Sequence, residues 1–115
     1  MAKINVLVVE DEPFLGLNIK QKIESFGHHV IAVVPSGDEA FQVVSERVPD
    51  LILMDINLPV ISGIDALKIL RADPSTRHIP VIAISANAMP QDIEKGLSVG
   101  FFQYVTKPIK VNEFL

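Results

Sequence analysis

Residues 51–63 read LILMDINLPVISG, an apolar run that ends on an acid, Asp55, and then breaks into Asn57, Pro59 and Gly63. The run is too short for an ordinary helix and too apolar for a half-exposed strand, so it reads as a strand buried on both faces. Strands of that kind belong to parallel sheets covered by helices. Four more such runs flank it: INVLVV (4–9), HVIAVV (29–34), PVIAIS (80–85) and FFQYV (101–105).

Helical patterns lie between the runs. Leu15, Ile19, Ile23 and Phe26 recur at helical spacing, and Gly27 follows as a stop signal. Ser36 and Glu39 have capping-box spacing ahead of Ala40, Val43, Val44 and Val48. SGID (62–65) opens a third helix bearing Ile64, Leu67 and Leu70, and a fourth spans about 91–99 before Gly100. The order β-α-β-α-β-α-β-α-β implies right-handed crossovers and a doubly wound α/β fold with helices on both faces of a five-stranded parallel sheet. At 115 residues the chain is expected to form one domain, residues 1–115.

Composition removes several function classes. A formal net charge of −4 without a Lys/Arg cluster argues against direct nucleic-acid binding. No apolar stretch approaches the roughly 20 residues needed to cross a bilayer. Zero cysteines exclude a disulfide scaffold, and the opening MAKINVLVVE lacks the pattern of a secretory signal, so the expected compartment is the cytoplasm. Neither a GxGxxG nor a GxxxxGK[ST] motif is present. Gly37, Gly63 and Gly100 read as cap and turn residues, His28 and His29 as surface residues opening the second strand, and His78 as a loop residue.

In such sheets, sites form beyond the carboxyl ends of the strands. The exits carry Glu10, Asp11 and Glu12 after the first strand, Asp55 after the third, Ser85 after the fourth and Lys107 after the fifth. Two like charges about 4 Å apart repel by about 4 kcal/mol at an effective dielectric near 20, so clustered acids need compensation. A hard divalent cation, Mg²⁺ or Mn²⁺, suits these oxygen donors, with Asp11, Asp55, Glu10 and the Asn57 carbonyl as expected ligands. A carboxylate beside a cation and a lysine can also attack phosphorus, and Asp55 is the central candidate. Lys107 and the Ser85 hydroxyl would then meet the phosphoryl oxygens.

VLVVEDEP, LILMDINLP, SG, AISA and YVTKP, in this order and spacing, resemble the receiver domains of two-component response regulators along essentially the whole chain. The resemblance implies the flavodoxin-like strand order 2-1-3-4-5. It further implies that Asp55 accepts a phosphoryl group from a sensor histidine kinase or histidine phosphotransfer protein. Glu10 and Asp11 would be the acidic metal pair, Ser85 and Tyr104 the switch residues, Lys107 the invariant lysine, and Lys107–Pro108 a cis peptide bond. A downstream protein or an attached output domain would read the switched surface. The protein would catalyse its own phosphoryl uptake and slow hydrolysis, with Asn57 and Asn87 flanking the water, rather than act as a turnover enzyme. The residues after Pro108 suffice for about one turn, so the fifth helix is expected to be cut short, with apolar surface exposed beside the first and fifth strands. Two other readings are a receiver-like interaction module that is never phosphorylated and a phosphatase of the haloacid-dehalogenase type. The latter expects a second acid two residues after the nucleophile, where this chain has Asn57.

Overall fold

The computed structural model describes residues 3–86, 89–107 and 109. Asn87, Pro108 and the segment 110–115 lie outside the described residues, and with them the expectations for the water-flanking Asn87, the Lys107–Pro108 bond and the fifth helix. The elements are β1 (Asn5–Val9), α1 (Pro13–Ser25), β2 (His29–Val34), α2 (Gly37–Glu46), β3 (Leu51–Asp55), α3 (Gly63–Ala72), β4 (Val81–Ser85), α4 (Pro90–Ser98) and β5 (Gln103–Thr106). The five strands pair in parallel in the order β2-β1-β3-β4-β5, as expected.

Alternate residues of each central strand face opposite layers. Val6 and Val8 of β1 join Leu53, Ile82 and Ile84 against Ile19 and Ile23 of α1. Leu7 and Val9 join Ile52, Met54 and Ala83 against Ala40 and Val44 of α2 and Leu67 and Leu70 of α3. Both faces are therefore apolar, which is why β3 reads as an unbroken hydrophobic run rather than an alternating one. Fully burying a Leu or Ile contributes about 1.5–3 kcal/mol relative to leaving it exposed, so the two layers hold the sheet between them.

Local signals set the helix boundaries. Pro13 opens α1, where its missing N–H costs no hydrogen bond. The Ser36 hydroxyl accepts from the Glu39 amide at 3.3 Å, the N-cap half of the expected box, and donates to the Glu39 carboxylate at 3.2 Å. Ser62 caps α3 in the same manner, accepting from the Asp65 amide at 3.2 Å.

Four expectations need correction. Phe26 is the C-cap of α1, which ends at Ser25, and is exposed rather than part of the helix's apolar face. Val48 lies beyond α2, which ends at Glu46, and is exposed. The extended backbone of Arg47 stops the helix before Val48 can join its apolar face. β5 starts two residues later than the apolar run suggests: Phe101 is buried as an anchor, Phe102 is exposed, and pairing begins at Gln103. His28 is buried, not superficial, because its Nδ1 accepts the Ile4 amide at 3.2 Å where the chain enters β1.

Candidate functional site

Parallel pairing brings the strand exits together. Val9 is level with Met54, Asp55 with Ile84, and Ser85 with Thr106, so Glu10, Asp55, Ser85 and Lys107 leave adjacent strands at one rim. Backbone bonds continue the sheet past its edge: Glu10 donates to the Val34 carbonyl at 2.9 Å, Ile56 to Ile84 at 3.0 Å, and Lys107 to Ser85 at 2.9 Å. The last of these aims the lysine back across the sheet.

Lys107 Nζ lies 3.0 Å from Glu10 Oε1 and 3.1 Å from Asp55 Oδ2, bridging two carboxylates that are almost wholly buried. Oxygens of Glu10, Asp11 and Asp55 all fall within 4.8 Å of one another, with Asp11 exposed at the mouth. One ammonium thus faces three acids. Glu10 Oε2 accepts the Glu12 amide at 3.1 Å, whereas Oε1, despite the nearby ammonium, receives no well-angled hydrogen bond. Burial pushes the Glu10 carboxyl up to about 7; the Glu12 amide and Lys107 oppose the rise, and the Asp55 charge adds to it. For Lys107, burial works against the charge, but the close contacts with the Glu10 and Asp55 carboxylates and their negative charges outweigh it and raise the value. The ammonium is therefore a permanent cation at this rim.

Asp55 Oδ1 accepts the amide of Asn57 at 2.9 Å, an Asx-type turn. One Asp55 oxygen thus closes the turn, while the other, Oδ2, meets Lys107. Ser85 is buried beside it. A cleft of about 160 Å³ opens next to Ser85, lined by Asn57, Ile64, Asp92, Lys95 and the half-buried Tyr104. Glu10, Asp11, Asp55 and Lys107 thus share one cluster, with Asn57 and Ser85 at its edge and Tyr104 across the adjoining cleft.

Sequence reasoning missed two glycines. A Cβ on Gly96 would stand 2.8 Å from Cδ2 of Tyr104, so α4, whose one buried residue is Gly96, rests its backbone against that ring. Gly63, read as a cap or turn residue, has no left-handed backbone; its lack of a side chain serves a close approach instead. A glycine inside an otherwise helical stretch was the available signal for Gly96. Within SG, Gly63 is indistinguishable from a turn.

The family model for the response regulator receiver domain matches residues 6–115. Among curated proteins, the polar-differentiation response regulator DivK of Brucella ovis is 42% identical over 111 residues, covering 96% of this chain and 89% of its own. Among solved structures, the receiver domain of sensor histidine kinase PA1611 from Pseudomonas aeruginosa, which has a magnesium ion coordinated in its active site cleft, matches with a TM-score of 0.85. It is 37% identical, and the match covers 97% of this chain and 91% of that one. A response regulator structure from Chloroflexus aurantiacus matches at TM-score 0.90 and 26% identity, over 97% and 91% of the two chains. Fold order, rim chemistry and these matches agree, and the chain belongs to the receiver domain family of two-component response regulators.

Proposed function

We propose that Asp55 is the phosphoacceptor, supplied by a histidine kinase or histidine phosphotransfer protein. The observation that carries this is the bridge from Lys107 to both Glu10 and Asp55, at 3.0 and 3.1 Å, beside the carboxylate of Asp11. In the transfer, an Asp55 carboxylate oxygen attacks the phosphorus of a phosphoimidazole. The new P–O bond forms as the P–N bond breaks, and the electron pair stays on the imidazole nitrogen, which takes up a proton. In this reading Lys107 follows a phosphoryl oxygen as charge leaves the carboxylate, and Ser85 donates to another.

Three hard carboxylate donors, from Glu10, Asp11 and Asp55, within 4.8 Å of one another fit a divalent cation. Glu10, Asp11, Asp55 and the Asn57 carbonyl would hold it. When bound, Mg²⁺ supplies charge neutralisation at the acids and the phosphoryl oxygens. Ser85 and Tyr104 then form the switch: the hydroxyl closes on the phosphoryl group and the ring moves in the cleft lined by α4. The altered surface of α4 and β5 is read by a downstream protein or an attached output domain. Slow hydrolysis of the acyl phosphate resets it.

The test is intact mass after incubation with acetyl phosphate and Mg²⁺. One hydroxylamine-sensitive phosphoryl adduct is expected on the parent, and none on Asp55→Asn or in excess chelator. A folded parent that takes up no phosphoryl group, or an Asp55→Asn variant that does, overturns the assignment.

A further inference from the structure

The loop that carries Asn57 is closed from behind. The Gly63 amide, the first of α3, donates to the Ile56 carbonyl at 2.8 Å, fastening the helix start to the residue after Asp55. A Cβ on Gly63 would sit inside the van der Waals contact of the Asp55 carbonyl oxygen, 2.8 Å from Ile56 Cα and 3.1 Å from the Asp55 carbonyl carbon. All three neighbours are backbone, so no side chain can swing away to make room. Between the two fastened ends, Ile61 donates to the Pro59 carbonyl at 2.7 Å around Val60, whose φ is 65°. The tight turn leaves the segment little slack, and the displacement passes to Asp55–Ile56–Asn57.

We infer that Gly63 is a positioning residue for the metal-dependent reaction: by lacking a side chain it seats α3 on the Asp55–Ile56 backbone and thereby fixes the Asn57 main chain. This rests on the proposed role of Asp55 and Asn57. Asp55 and Asn57 are linked directly, because the Asn57 amide binds Asp55 Oδ1 at 2.9 Å. Any side chain at position 63 therefore misplaces the acceptor and the carbonyl ligand together. Misplacements on the order of 1 Å at a reacting centre are worth up to about 100-fold in rate.

The experiment compares the parent, Gly63→Ala and Thr76→Val; the last loosens the far end of α3, where Thr76 Oγ1 donates to the Leu70 carbonyl at 2.6 Å. In metal-free protein the amide ¹H–¹⁵N resonance of Asn57 is expected to move in Gly63→Ala and to stay in Thr76→Val. The Mg²⁺ dissociation constant, by isothermal titration, should rise at least fivefold in Gly63→Ala alone, and the rate of adduct formation at saturating Mg²⁺ should fall at least tenfold. A folded Gly63→Ala with an unmoved Asn57 amide and binding and rate within twofold of the parent overturns the inference. Should Gly63→Ala not fold, the parent decides it: on Mg²⁺ titration the Gly63 amide must shift with that of Asn57, and an immobile Gly63 resonance refutes the coupling. A parent that takes up no phosphoryl group would sink the functional reading instead, while the metal-free Asn57 resonance still tests the positioning role.

Discussion

Glu10 makes the metal-free protein a poorer fold at high pH, and Glu10→Gln should remove that dependence. Its carboxyl stands at about 7 in the folded state against an ordinary 4.5, raised first by burial and further by Asp55. A folded-state value above the unfolded one means that protonated Glu10 favours the fold. The contribution is fully present below about 4.5 and is lost as the pH rises through about 7. Those two values make the loss between about pH 5 and about pH 8 on the order of 2–3 kcal/mol. Lys107 does not contribute in this interval, since its raised value lies far above it. The assay is urea unfolding at the two pH values in excess chelator, with the parent and Glu10→Gln side by side. Groups remote from Glu10 are common to both proteins and cancel in the difference. The parent should lose stability on the order of 2–3 kcal/mol more than the variant on going to the higher pH. Parallel pH profiles, or a parent that gains stability relative to Glu10→Gln, would refute the account of a carboxylate buried with insufficient compensation.

Three further outcomes follow from single contacts. Gly96→Ala places a methyl 2.8 Å from Tyr104 Cδ2, and because a ring can yield where backbone cannot, the ring should turn away; shifted Tyr104 ring resonances check it. The gain in helix propensity, about 1 kcal/mol, should offset much of the crowding, so the denaturation midpoint should move little. Thr76→Val leaves the Leu70 carbonyl without its buried donor at 2.6 Å, and urea unfolding should show a loss of about 1–2 kcal/mol. Val60, almost fully exposed and β-branched at φ 65°, costs strain on the order of 1 kcal/mol, so Val60→Asn should raise stability by up to that amount in the same assay.

The clustering of the candidate site's residues was legible in outline because these side chains follow strand exits. Asp55, Glu10 and Asp11 could be named from the end of each apolar run, and Ser85 and Lys107 from the following ones. The bridge itself was not legible. That Lys107 reaches Glu10 as well as Asp55, and that Glu10 is the acid whose protonation is perturbed, depends on distances across three strands separated by 45 and 52 positions in the chain. His28 was misread for a related reason: its partner is the Ile4 amide, 24 residues away. Val48 was assigned to an apolar helix face by its spacing alone, but the helix ends at Glu46, two residues before it.

The sequence by itself determined the element order, the caps at Ser36 and Ser62, the parallel sheet and the identity of the rim residues. These rest on periodicity and on hydrogen bonds reaching three or four residues, which the local chain carries in full. Only the tertiary structure decided which oxygen meets which cation, how far burial shifts Glu10, and why Gly63 and Gly96 lack side chains. Each of those depends on two backbones or charges brought within a few ångströms by distant segments, and electrostatic and steric energies change steeply over that distance.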